Sequence, residues 1–242
     1  MPVTDAPSNA TLAAPAETRP LPIRILAEAI GSAGLAAAVV GSGIMATRLT
    51  DDVGVQLLIN AVATAAALVV LIVVLGPVSG AHLNPVVTAA LAVERLVPAR
   101  EILPTVVAQV FGFGAGAVLA NLMFGGAAVS ISTTVRGEPG LLLGEVVATA
   151  GLVAVILTLV HRGQQSWVPA AVGLYIGSAY FVTSSTSFAN PGITLGRMLS
   201  DSFAGIAPES APLFIAAQVA GTALALLVVR IVIVPRGNGQ MS

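Results

Sequence analysis

The chain has 242 residues, a formal net charge of −1 and no cysteine. Hydrophobic residues make up 56 % of it and charged residues 9 %, against roughly a quarter charged in a soluble domain, so it is built for a bilayer. The missing cysteines exclude disulfides and thiolate metal sites. No basic block suggests a nucleic-acid partner, and no nucleophile–base pair, metal cluster or phosphate loop points to an enzyme, a metal or a cofactor.

Residues 1–20, rich in Pro, Ala, Ser and Thr without an apolar run, read as a disordered N-terminal tail rather than a signal peptide. Residues 21–235 read as one membrane domain and 236–242 as a C-terminal tail. A transmembrane helix needs about 20 apolar residues. Six stretches meet that length, at 23–47, 55–76, 102–124, 141–160, 167–186 and 212–234. Short polar breaks separate them at Arg48 to Asp52, Glu94 to Glu101, Ser130 to Pro139 and His161 to Ser166. Recurring small residues, such as Gly112, Gly114 and Gly116, suit close helix packing in lipid.

Two further apolar segments, 84–93 and 190–200, are too short to cross. Each opens on Asn-Pro: Asn84-Pro85 in Ser79-Gly-Ala-His-Leu-Asn-Pro-Val-Val-Thr88, and Asn190-Pro191 in Thr186-Ser-Phe-Ala-Asn-Pro-Gly-Ile-Thr194. Asn is a strong N-cap and Pro is pre-organised for the first helical position. Each dipeptide therefore predicts the start of a re-entrant half-helix. Two such positive N-termini facing each other near the midplane oppose cations and suit a pore for neutral molecules.

The halves repeat, over about 23–124 and 141–234. Glu28 corresponds to Glu145, Asn84 to Asn190, and Gln109 to Gln218. Three spans per half is an odd number, so the second copy inserts upside down, giving an inverted 3+3 repeat. All ten basic residues are arginines. With both termini cytoplasmic, Arg19, Arg24, Arg95, Arg100, Arg162, Arg230 and Arg236 lie inside and only Arg48, Arg136 and Arg197 outside, as the positive-inside rule favours.

These residues together resemble the aquaporin, or major intrinsic protein, family. The first Asn-Pro signature carries Val86 where Ala is usual, and the paired glutamates and Ala-Gln-x-x-Gly motifs match as well. The resemblance implies an all-α membrane protein: a right-handed bundle of six transmembrane helices plus two half-helices, in a homotetramer with one pore per subunit. It implies a multi-pass protein of the plasma or inner membrane whose partners are lipid and small neutral solutes. It also implies that the Asn84 and Asn190 amides donate to the passing solute and that Glu28 and Glu145 brace the re-entrant loops. His82 itself reads as a neutral pore-wall or loop-packing residue rather than a pH sensor, and Val87 as part of the apolar pore wall that opposes cations. The carbonyls of Gly80 to Leu83 and of Ser187 to Ala189 would then offer acceptors to the solute.

Counting by the family's spacing places the four filter positions at Thr64, Ser178, Ser187 and Ile193. None is aromatic, His or Arg, and the usual Asn-Pro-Ala-Arg is Asn190-Pro191-Gly192-Ile193 here. That filter is expected to be wide and amphipathic, passing glycerol-sized polyols, urea-sized molecules or undissociated metalloid hydroxides such as arsenous acid. Phe188-Ala-Asn-Pro with Phe203-Ala-Gly-Ile-Ala-Pro208 also looks like a bacterial branch associated with arsenic resistance. Arg197, four residues beyond Ile193, is either a relocated selectivity charge at a wide vestibule or a snorkelling arginine paired with Asp201. A strict water channel is the alternative function, followed by a secondary transporter, for which the acids at the midplane are too few.

Overall fold

The computed structural model describes residues 19–233. The tails expected at 1–20 and 236–242 lie outside the described residues, apart from Arg19 and Pro20, and Arg236 lies outside them too. Eight α-helices follow in order: α1 Leu21–Leu49, α2 Val53–Ser79, α3 Pro85–Val93, α4 Ala99–Met123, α5 Pro139–His161, α6 Val168–Val182, α7 Pro191–Arg197 and α8 Ala211–Val228. A 3₁₀ turn, Gln165–Trp167, leads into α6, and a π turn, Val229–Ile233, extends α8. No strand occurs among the described residues.

Local sequence sets most boundaries. Proline stands in the first two positions of α1, α3, α5, α6, α7 and α8, where its missing N–H has no helical partner in any case. Asp52 caps α2 by accepting from Val55 N–H at 3.0 Å. Gly80 ends α2 in the left-handed conformation, at φ 92°.

Five helices are long and apolar enough to cross a membrane: α1, α2, α4, α5 and α8 with its π turn. The sixth, α6, has 15 residues, about 22 Å at 1.5 Å per residue. The span expected at 167–186 therefore ends four residues early. Thr183 turns its hydroxyl onto Ala179 O at 2.8 Å, and Ser184 donates to Gly140 O at 2.7 Å, so hydroxyls compete with the helical ladder there. The second half-helix is also shorter than expected and stops at Arg197. Beyond it, Met198 O and Leu199 O accept from Ser132 N–H and Ser130 N–H of the segment after α4.

Packing repeats with the sequence. α1 packs on α2 and α4, as α5 packs on α6 and α8, and α2 meets α6 across the pseudo-twofold relation. Each half-helix rests on the last long helix of its own repeat and on that of the other. Close approach depends on small residues: a Cβ on Gly112 or Gly116 would strike the Ala29 or Ala33 carbonyl of α1, and one on Gly221 the Val146 carbonyl of α5. Phe113 and Phe214 are fully buried inside, whereas Phe111, Leu174 and Val182 are about three-quarters exposed on the outside. That inside-out distribution suits a hydrocarbon surround.

At the end formed by the last residues of α3, α5 and α8, Glu94 accepts from Arg230 at 2.9 Å and stands 3.2 Å from His161. Arg24 pairs with Glu101 at 2.7 Å, tying α1 to the start of α4.

Candidate functional site

The two half-helices meet at their N-termini. Asn84 Oδ1 accepts from Val86 N–H at 3.1 Å, and Asn190 Oδ1 accepts from Gly192 and Ile193 N–H at 2.9 and 3.3 Å. Both side chains thus cap α3 and α7. Their amides then cross: Asn84 Nδ2 donates to Ala189 O, and Asn190 Nδ2 to Leu83 O, each at 2.8 Å.

The approaches to the asparagines run through costly backbone. Ala81, Leu83, Thr186, Ser187 and Ala189 all have φ between 46° and 60°, a region that non-glycine residues enter only when the surroundings enforce it. The two buried glutamates provide that enforcement. Glu28 accepts from Ser79 Oγ, His82 N–H, Leu83 N–H and Gln109 Nε2 at 2.7 to 2.9 Å. Glu145 accepts from Phe188 N–H, Ala189 N–H and Gln218 Nε2 at 2.7 to 2.9 Å. The second branch of each bracket is a threonine. Gln109 Nε2 also donates to Thr88 Oγ1, and Gln218 Nε2 to Thr194 Oγ1, both at 3.0 Å. Thr88 and Thr194 stand outside the site residues expected from the sequence. The available signal was a Thr four residues after each Asn.

A cavity of about 660 Å³ runs past this crossing. Leu96, Val97, Gln165 and Ser166 border it near the ends of α3 and α5, and His82, Asn84, Val87, Asn190 and Ile193 line its middle. Thr64, Tyr180, Ser187, Phe188 and Arg197 line it toward the C-terminal end of α7. His82 is half-buried, with Nδ1 3.2 Å from Thr88 Oγ1. Pro85, Val86, Pro191 and Gly192 stand outside the lining set. Gly192 lies under the Phe113 ring, which a Cβ there would strike.

Three expectations about the filter change. Ser178 is exposed on the outer surface of α6 and takes no part in the cavity. Counting back from Asn190 assumed a fixed loop length. The helix itself turns Ile176 and Tyr180 inward, four residues apart, and leaves Ser178 on the far side. Tyr180 instead stands opposite Thr64, with their oxygens 3.1 Å apart. Second, Arg197 does not pair with Asp201. Asp201 Oδ1 accepts from Thr133 N–H and Oγ1 at 3.0 and 3.1 Å. Arg197 is 3 % exposed, donates from Nε to Ala204 O, and stacks its guanidinium 3.3 Å from the centre of the Phe188 ring. A helical side chain leans toward the N-terminus of its helix, so the charge returns toward the turn that Ile193 occupies. Third, this end of the cavity is neither arginine-free nor free of aromatics. Ser187 is buried there, and its hydroxyl has no partner among the described residues.

The described residues hold no group of three or more His, Cys, Asp or Glu side chains that could bind a metal. The cavity lining combines amide and hydroxyl groups of Asn84, Asn190, Thr64, Tyr180 and Ser187 with aliphatic side chains such as Val87, Ile176 and Ile193.

Comparison with known proteins gives the same architecture. Residues 18–188 match the model of the family described as major intrinsic protein. The chain is 46 % identical over 212 residues to aquaglyceroporin AqpS of Rhizobium meliloti (strain 1021), covering 88 % of this chain and 91 % of that one. It is 33 % identical over 190 residues to an aquaporin Z of Bradyrhizobium diazoefficiens, covering 72 % and 78 % of the two chains. Among solved structures, the aquaglyceroporin from Plasmodium falciparum superposes with a TM-score of 0.70 at 21 % identity, over 89 % of this chain and 98 % of that one. That likeness carries the fold alone. With its crossed asparagines, paired glutamate brackets and two half-helices, the chain belongs to the major intrinsic protein family.

Proposed function

We propose that the protein is a passive transmembrane channel for small neutral solutes, conducting glycerol-sized polyols or undissociated metalloid hydroxides together with water. The observation that carries the reading is the continuous cavity past the crossed Asn84 and Asn190 amides, with a hydroxyl-rich wall at one end. Thr64, Tyr180 and Ser187 present hydroxyls there, while Ile176 and Ile193 face the same space with aliphatic side chains. A compact polyol can set its hydroxyls against those groups and its carbon chain against the aliphatic ones. The identity to an aquaglyceroporin over nearly the whole chain supports the same class. In this reading Asn84, Asn190, His82 and Val87 form the pore, Thr64, Ser187 and Ile193 its filter, and Glu28 and Glu145 its braces. Tyr180 takes the place expected for Ser178.

The protein acts as a homotetramer in the plasma or inner membrane with both termini cytoplasmic. The arginine distribution supports that orientation, and the exposed apolar faces of the long helices supply surface for lipid and for neighbouring subunits.

A strict water channel is the second reading. It is favoured by Arg197, Phe188 and Tyr180 gathering at one end of the cavity, which narrows the mouth relative to a filter of small hydroxyls. Stopped-flow light scattering from proteoliposomes separates the two. Fast swelling in glycerol or arsenous acid gradients supports the solute channel. Fast osmotic water flow with no solute uptake replaces it with the water channel, and neither flux removes both.

A further inference from the structure

Arg136 sits in the segment between α4 and α5 and is one of the three arginines that the charge distribution places outside. The fold brings it to the same end of the cavity as Arg197. Its backbone N–H donates to Ser210 Oγ at 2.8 Å, and its Nε donates to Gly205 O at 3.0 Å. The preceding carbonyl, Ala204 O, accepts from Arg197 Nε. Two guanidinium groups are therefore anchored on consecutive carbonyls of one turn. Both lie over the Phe188 ring, at 5.2 Å from its centre for Arg136 and 3.3 Å for Arg197. Phe188 is held in turn by an edge-on contact with Phe214 at 5.1 Å. Among the described residues, neither arginine is ion-paired with a carboxylate.

This cluster is built rather than incidental. Arg197 is almost fully buried and Arg136 partly so, and cations at such depth need compensation. Here it comes from carbonyl dipoles and an aromatic face, with the buried Glu145 carboxylate as the opposite charge acting on both from a distance; one carboxylate set against two guanidinium groups leaves a net positive charge. Phe188 and Arg197 line the cavity, so that charge acts on whatever approaches. A fixed positive charge beside a low-dielectric passage raises the barrier for another cation, and little salt screens it there.

We propose that Arg136 is a second fixed charge of this mouth. With Arg197 and Phe188 it forms a two-arginine barrier that keeps protons and metal cations out of the channel, where the half-helix itself carries Ile193 in place of an arginine. The inference rests on the channel reading above.

The test uses the full chain in liposomes, with an internal pH dye and a sodium dye reporting leak under a clamped potential, and glycerol and water flux measured on the same vesicles. Arg136→Gln is expected to raise proton and sodium leak about tenfold or more, the scale of removing one nearby unit charge. Arg136→Lys, which keeps the charge, is expected to stay close to the wild type. Phe188→Leu removes the ring under both guanidinium groups and predicts the same rise, so it serves if Arg136→Gln does not fold. Unchanged leak in Arg136→Gln and Phe188→Leu overturns the barrier. So does an equal rise in Arg136→Gln and Arg136→Lys, because shape and not charge would then be what was lost. A wild type with neither glycerol nor water flux sinks the channel reading instead, whatever the leak shows.

Discussion

Asn84 and Asn190 each donate to the carbonyl just before the other: Asn84 Nδ2 to Ala189 O and Asn190 Nδ2 to Leu83 O, both at 2.8 Å. Each side chain spends its oxygen on its own half-helix and its amide on the opposite loop. The two repeats are thereby stitched together beside the cavity, so capping, assembly and cavity geometry depend on the same two residues.

Replacing either asparagine should consequently destabilise the whole fold as well as alter flux. Asn84→Ala removes a cap, worth about 1 kcal/mol, and leaves Ala189 O without its cross-link in a buried setting, which costs about 1–3 kcal/mol more. Asn190→Ala should cost a similar amount through Leu83 O. Thermal melting of the detergent-solubilised protein reads this directly. Unchanged midpoints for both variants would show that the crossing carries no stability.

The two glutamate brackets differ in how closely their serine donor is held, and the difference is testable. Glu28 accepts from four close donors; Glu145 accepts from three, with the Ser185 hydroxyl, the counterpart of Ser79, as a weaker fourth. A glutamine in either place offers one oxygen and turns an amide against incoming N–H groups. Glu28→Gln and Glu145→Gln should each lower stability by roughly 3 kcal/mol, the range of charge-assisted hydrogen bonds, with Glu28→Gln the more severe. Urea or thermal denaturation of both variants gives the ranking, and the reverse order would show that the closer Ser79 donor adds nothing.

Gly192 takes the position where the first repeat has Val86, and Phe113 the position matched by Thr222. The small residue of one repeat lies under the large ring on α4, because a Cβ on Gly192 would strike Phe113. Gly192→Ala should cost about 1–3 kcal/mol by overpacking. Combining it with Phe113→Leu should cost less than the sum of the two single changes. A double-mutant cycle on melting temperature measures this, and simple additivity would refute the contact.

The filter correction on α6 makes opposite predictions for neighbouring residues. Tyr180 lines the cavity against Thr64, while Ser178 faces outward. Tyr180→Ala should widen the mouth and admit larger polyols several times faster in swelling assays. Ser178→Phe should leave both flux and solute ranking as they are. A strong selectivity change in Ser178→Phe would restore the filter position obtained by counting.

Much of the architecture follows from local sequence. Apolar stretches of spanning length, prolines at helix starts and two Asn-Pro caps are short-range signals, because hydrocarbon leaves backbone groups no partners but their own helix. The internal pairing of Glu28 with Glu145 and of Gln109 with Gln218 revealed the inverted repeat, since both copies solve the same problem of supporting a strained loop. The end of α6 was not legible, because hydroxyls at Thr183 and Ser184 can sit within a helix or compete with it.

Only the tertiary structure decided the mouth. Whether Ser178 or Tyr180 faces the cavity depends on helical phase set by packing, which a fixed count from Asn190 cannot supply. Arg197 had a ready helical partner four residues on in Asp201, yet Thr133 occupies that carboxylate and the Phe188 ring draws the guanidinium back. Arg136 reaches the same ring from a segment 52 residues before Phe188 in the chain. Such contacts join groups far apart in sequence through long, rotatable side chains, whose direction is settled only when every neighbouring donor and acceptor has found its partner.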